Sequence, residues 1–302
     1  MPAARPMSSS PRLSVVLAVD RASEALRATL RRWSAEDAAA TEQLVVVLAD
    51  AGDEALVREL APRAEILCGP RNALIPELWG LGIAAAAAPW VALTIGDCVP
   101  DGGWRRRLGE VTETAPESVA GLGGPILPPV AGGGREWALY LLRYSAYLAV
   151  PSGPAVEIPG DNAVYRRAEL ERHWRDRSAG FWEVQLHDEL RRAGRELRFD
   201  AGLRVRLVRT PPTLRAAATR FRHGLRFGAT RSLSALRRLA AGFSAPVLVL
   251  VLLARVRRRV RTARPEWQSR LRLAMPWLVV FVVAWSLGET LGYLAPRAGR
   301  RA

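Results

Sequence analysis

The chain contains no lysine, and all 44 of its Lys-plus-Arg cations are arginine. Arginine suits forked contacts with phosphate, but so complete a replacement reads as genome-wide codon bias rather than as function. Cysteine is nearly absent as well. Only Cys68 and Cys98 occur, with no C-x-x-C pair, so neither a disulfide framework nor a cysteine zinc site is indicated and a reducing cytoplasm is compatible. A secretory signal is also lacking. Residues 1–12 are polar, rich in Pro and Ser, and expected to be disordered. The first apolar run, residues 13–19, is too short for a signal core followed by a cleavage site, so the leading domain is expected to stay in the cytoplasm.

A basic surplus is missing where nucleic-acid binding would need it. The net charge of +15 divides unevenly: residues 211–302 carry 18 Arg against Glu266 and Glu289, a net of +16, while residues 1–210 carry 26 Arg against 27 acids, a net of −1. A near-neutral leading domain argues against DNA or RNA as a partner, and a basic C-terminal part argues for anionic membrane lipids. The length of 302 residues fits one sizeable core plus an anchor.

What is present is an alternation of apolar strands and helices. Residues 13–19 end at Asp20 and lead to a helix over 22–33. Residues 43–49 end at Asp50 and lead to a helix over 53–61. A short strand over 64–68 precedes a helix over 75–88, and a fourth strand, 90–95, ends at Gly96-Asp97. Strands apolar throughout, each followed by a helix, predict an α/β fold with a mostly parallel sheet covered on both faces. The Gly/Pro-rich stretch 121–134 reads as a loop. Helices are expected over 136–150, 161–173 and 183–193, and strands return within 196–208.

Residues 211–238 are a basic, broken helical region. Two apolar segments follow, 239–254 with Pro246 inside it and 273–295 with the single charge Glu289, separated by eight Arg in 255–272. A span needs roughly 20 residues, so 273–295 is expected to cross the membrane once, with 239–254 interfacial or re-entrant. The eight connector arginines then remain on the cytoplasmic side.

In an open parallel sheet, ligands bind beyond the carboxyl ends of the strands. Asp20, Asp50 and Asp97 each fall just past such an end. Any one of them could simply cap a helix or open a loop; three at one edge suggest a nucleotide-plus-metal pocket. Trp137, Tyr140, Tyr144 and Tyr147 recur at spacings of three and four, so they form one helical stripe, either core packing or a membrane-surface guide for an acceptor.

Five stretches occur in the order of the family 2 glycosyltransferases: 13–20, 43–50, T-I-G-D-C-V-P-D-G-G-W at 94–104, G-D-N-A-V-Y-R-R at 160–167 and F-W-E-V-Q-L-H-D-E-L-R-R-A-G at 181–194. The chain resembles that family over roughly residues 13–231. The resemblance implies an inverting enzyme of GT-A fold and a divalent metal, Mn or Mg. It also implies a nucleotide-sugar donor and a lipid-linked or membrane-proximal acceptor. It places Asp97 on the family's metal-binding acid, with Ile95 where the first acid of D-x-D stands. Trp79-Gly80 takes the place of the usual Arg-Asn pair. Glu183 falls on the catalytic base, which takes the acceptor hydroxyl's proton, although a first-turn helical Glu is also favoured by the helix dipole alone. Asp20, Asp50, Asn162, Arg222 and His223 match donor-binding positions, whereas Arg220 and Arg226 suit a juxtamembrane helix. The departure at Ile95 leaves a second reading, a catalytically silent membrane-anchored scaffold that binds a sugar nucleotide or a partner.

Overall fold

Every side chain of β1 (Leu13–Val19) is buried. A strand hidden on both faces needs paired neighbours and helices above and below it. The computed structural model describes residues 11–35, 42–174, 177–208, 210–231, 234–242 and 245–294. The expected disordered N-terminus therefore lies almost wholly outside the described residues. The chain forms two units, residues 1–127 with 150–206, and residues 128–149 with 207–302.

The first unit continues with α1 (Glu24–Ala35), β2 (Glu42–Leu48), α2 (Glu54–Leu60), β3 (Glu65–Cys68), α3 (Ile75–Ala85), β4 (Trp90–Ile95), β5 (Cys98–Pro100), α4 (Trp104–Thr114), β6 (Val119–Gly123) and β7 (Ile126–Leu127). After α5 (Gly134–Tyr144), which belongs to the second unit, it resumes with β8 (Gly153–Ala155), β9 (Asn162–Arg166), α6 (Arg167–His173), α7 (Glu183–Arg192), β10 (Glu196–Phe199) and β11 (Val205–Leu207). The main sheet has the order β3-β2-β1-β4-β9-β6-β10-β8. β1 to β4, β6 and β10 run parallel, and β9 and β8 run against them. The expected mostly parallel α/β sheet is therefore present. Burial extends to charged groups: Arg105 donates from Nε to Glu42 at 3.0 Å and from Nη1 to the Trp33 carbonyl at 2.7 Å, with its guanidinium 4.3 Å from the Trp33 ring centre. This fixes α4 to the ends of α1 and β2.

Two segments differ from the sequence reading, for one reason. Residues 161–173 begin not as a helix but as β9, which fills the gap between β4 and β6, and helix starts only at Arg167. The expected loop over 121–134 begins as β6, followed by β7. Its glycines are a packing requirement: a Cβ at Gly121 would stand 2.6 Å from the Tyr165 ring, at Gly123 2.6 Å from Ile158, and at Gly124 1.9 Å from the Leu203 carbonyl oxygen. The side chains of β9 and its neighbours occupy the room those glycines leave, a use of strand glycine that local pattern does not reveal.

The second unit consists of α5, α8 (Thr213–Thr230), α9 (Ala235–Gly242), α10 (Ala245–Ala263) and α11 (Gln268–Leu294). α11 packs against each of the other four. The expected segment 239–254 is divided between α9 and α10, and α10 runs on through half of the arginine-rich connector. The aromatic stripe of α5 is core. Trp137, Tyr140 and Tyr144 are buried, and the Trp137 and Tyr140 rings lie 5.0 and 6.1 Å from that of Trp267.

α8 and α11 run parallel and meet through glycines on both helices, Gly224 and Gly228 on one, Gly288 and Gly292 on the other. Small residues at spacing four let helix backbones approach closely. A Cβ at Gly288 would stand 2.0 Å from the Phe221 carbonyl oxygen, whereas one at Gly109, inside α4, would meet nothing within 4 Å. Gly288→Ala is therefore expected to cost about 1–3 kcal/mol through overpacking, and Gly109→Ala to gain about 0.5–1 kcal/mol from helix propensity. Thermal unfolding of both variants checks this; equal effects at the two sites would contradict the close approach.

Candidate active site at the C-terminal edge of the sheet

Strand direction decides which residues can meet. Thr94, near the end of β4, pairs with Asn162 at the start of β9, and Gly123, at the end of β6, pairs with Ala163. The ends of the parallel strands and the start of β9 thus share one edge. Asp20 follows β1, Asp50 follows β2, Asp97 follows β4, Asp161 precedes β9 and Asp200 follows β10. Sequence reasoning named three of these five.

Their surroundings differ. Asp50 is exposed, and its Oδ1 accepts from the Gly52 amide at 3.1 Å, a capping contact. Asp53, which the sequence reading passed over, accepts the Ala22 amide at 2.6 Å and so ties the loop after β1 to the loop after β2. Asp20 and Asp97 are half-buried. Ile95 is only 2% exposed, so this residue is part of the core rather than of a pocket rim. Asp200 accepts from Arg107 at 3.2 and 2.6 Å. Burial raises its carboxyl, but the Arg107 contact and the Gly202 and Leu203 amides outweigh that and hold it below its ordinary value.

Asn162 is 1% exposed. Its Nδ2 donates to the carbonyls of Leu203 (2.7 Å) and Pro125 (3.3 Å), and its Oδ1 accepts from Trp104 Nε1 at 2.9 Å. That side chain binds three stretches of the protein together, which positions the turn that contains it.

Glu183 opens α7. Its carboxyl carbon would stand 3.1 Å from a Cβ at Gly160, and the Trp79 ring 3.2 Å from the same point. The bare backbone of the G-D-N turn, the indole and the carboxyl are therefore packed together. Trp79 is fixed from α3 by donating Nε1–H to the Thr94 carbonyl at 3.0 Å. The start of α7 is fixed in turn: Gly180 adopts φ +85°, where a Cβ would also meet the Pro76 backbone at 2.8 Å, and the Phe181 amide donates to the Pro76 carbonyl at 2.7 Å. Glu183 is thereby linked through Gly160 and Trp79 to the end of β4, two residues before Gly96-Asp97. Gly160 and Trp79 were not singled out from sequence as a contact pair, because residues 79 and 160 are brought together only by the sheet.

One helical turn after Glu183, His187 is 1% exposed, with its Nε2 2.8 Å from the Tyr165 hydroxyl and no partner on Nδ1. Burial, aided by Arg191 and opposed by Asp188, holds the imidazole down at about 3. Asp188 itself pairs with Arg191 on the outer side of α7. Arg222 and His223 lie on α8 in the helical unit, where the His223 ring is 6.5 Å from that of Trp285.

Among the described residues no three His, Cys, Asp or Glu side chains are grouped as a metal cage. No family model matches the chain, and no curated protein is detectably similar to it. A solved structure of the mannosyltransferase PcManGT from Pyrobaculum calidifontis, in complex with GDP-Man and Mn2+, is similar with a TM-score of 0.56 and 14% identity, over 93% of this chain and 88% of that one. The chain has an α/β glycosyltransferase-like fold.

Proposed function

We propose that the protein is a membrane-associated, inverting glycosyltransferase of the GT-A type. It would move a sugar from a nucleotide-sugar donor to a lipid-linked or membrane-proximal acceptor. The observation that carries this reading is the placement of Glu183 beside Gly160 and Trp79, on the same sheet edge as Asp97 and Asp20. In this reading Asp20 and Asp50 would meet the base and ribose of the donor, and the phosphate-binding role of Arg222 and His223 rests on the family resemblance alone. Glu183 accepts the proton of the acceptor hydroxyl as that oxygen attacks the anomeric carbon. Asn162 holds the turn that brings Gly160 to Glu183.

The donor set at Asp97 fits a hard divalent cation. Mg or Mn is commonly held by one or two carboxylates together with substrate phosphates and water, and a half-buried Asp at the carboxylate-lined edge supplies one such ligand without a protein cage. When bound, the cation would offset the charge of the departing diphosphate.

One helix among the described residues, Pro265–Leu294, is long and apolar enough to cross a membrane. One face of it exposes Leu273, Trp277, Val280, Leu287, Leu291 and Leu294, which supports membrane attachment. The arginines before α11 support a cytoplasmic placement of the catalytic unit at the cytoplasmic membrane.

A thermal-shift screen of nucleotide-sugars with and without Mn or Mg tests the proposal, since a ligand of the folded state raises the melting temperature. A metal-dependent shift with at least one donor is expected, and Asp97→Asn should abolish its metal dependence. A folded wild-type protein without any such shift would instead favour the silent scaffold, for which the loss of the first acid at Ile95 is the motive.

A further inference from the structure

The groove between α10 and α11 joins two chemistries. Leu250, Leu253, Arg257, Arg258 and Arg261 recur along α10 at helical spacings, so they share one side of it. Met275 of α11 closes the opposite side, and the open volume is about 830 Å³. One end of the α10 wall is apolar, at Leu250 and Leu253. The other end carries three guanidinium groups.

Among the described residues of this unit, each acid is engaged away from that cationic end. Residues 128–149 and 207–302 contain three acids. Glu136 accepts the Gly133 amide and pairs with Arg135. Glu266 lies 3.8 Å from Arg264. Glu289 accepts from Trp285 at 2.8 Å and from Tyr293 at 2.5 Å. The helix dipole favours cations only in the last turn, which accounts for Arg261 and leaves Arg257 and Arg258. Arg255 and Arg259, on the same helix, lie outside the groove, and a general attraction to anionic surfaces covers them.

We infer that this groove binds a lipid with an anionic phosphate headgroup. The hydrocarbon chain lies along Leu250, Leu253 and Met275, and the phosphate oxygens accept charge-assisted hydrogen bonds from Arg257, Arg258 and Arg261. The site belongs to the helical unit alone and stands whether or not the first unit transfers sugar. It also differs from a diffuse surface attraction, because it distinguishes lipids by headgroup charge at one place on the protein.

Photo-crosslinking tests it. The full chain is placed in phosphatidylcholine nanodiscs doped with either phosphatidylglycerol or phosphatidylcholine carrying a diazirine in the acyl tail, and the labelled residues are mapped by mass spectrometry. Labelling at Leu250, Leu253 or Met275 is expected to favour phosphatidylglycerol. The double variant Arg257→Gln/Arg261→Gln should lower it by about tenfold or more, the loss of at least one charge-assisted hydrogen bond. Labelling of Leu287 and Leu291, on the exposed face of α11, should not change in that variant, and Arg255→Gln should leave the groove signal intact. The substituted side chains are exposed and glutamine is a good helix former, so the fold should be retained, as far-UV circular dichroism would show. Equal labelling by the two lipids, or labelling indifferent to the double substitution, would overturn the site. Full displacement by millimolar inorganic phosphate would show a free-anion site and overturn it equally.

Discussion

Glu183→Gln is expected to lower the rate of sugar transfer by about 10²–10⁴, the usual contribution of a positioned general base. Glutamine keeps the shape of the side chain against Gly160 and Trp79 but cannot take a proton. Nucleotide-sugar binding, read as a thermal shift, should survive. Asp188→Asn is the informative control, because Asp188 is on the same helix yet pairs with Arg191 on its outer side; its rate should stay within a few fold of wild type. A Glu183→Gln enzyme at full rate beside an impaired Asp188→Asn enzyme would move the base from the first turn of α7 to the second. Gly160→Ala offers a further check, since its methyl would crowd the carboxyl at 3.1 Å, lowering kcat while donor affinity holds.

Acid is expected to destabilise the first unit through His187. The folded imidazole is held down at about 3, whereas an unfolded histidine titrates near 6.5. Between these values the unfolded chain binds a proton that the native state refuses, so stability is present above about pH 6.5 and is lost as pH falls toward 3. From pH 7 to 4.5 the loss due to this one group is about 2.5 kcal/mol. His187→Gln keeps a polar partner for the Tyr165 hydroxyl and removes the titration. Urea midpoints measured at pH 7, 5.5 and 4.5 should converge for variant and wild type as the pH falls. Parallel losses in the two proteins would mean that His187 is open to water in the native state.

The strands that read most easily were those whose burial is dictated by their own residues. β1, β2 and β4 are dominated by apolar residues, and each ends within two residues of an Asp, so the sheet edge and Asp20, Asp50 and Asp97 were visible in the sequence. β6 and β9 were not. The glycines of β6 look like a loop because what they accommodate, the Tyr165 ring and Ile158, lies about 40 residues further on. Asn162 shows the same limit at the level of one side chain: its buried tie to Trp104, Pro125 and Leu203 joins stretches about 40 to 60 residues apart and leaves no local signal. Ile95 could be seen as a departure from a motif, but its place in the core follows from the burial of β4 on both faces. The helices of the second unit were legible as apolar and basic segments, while the glycine match of α8 to α11 depends on two stretches more than 60 residues apart.

The position of β9 has a consequence for synthesis of the chain. It is the seam between β4 and β6, yet its residues, 162–166, leave the ribosome after both of those strands and after α5. Until then β4 and β6 each present an unpaired edge, which is a template for intermolecular pairing. The contacts that close the seam span up to about 75 positions, and non-local pairing of this kind is slow to form. A nascent chain halted before residue 166 is therefore an aggregation hazard. Neither residues 1–127 nor residues 150–206 contain the whole sheet edge, so a split protein should recover the folded sheet only when both fragments are refolded together.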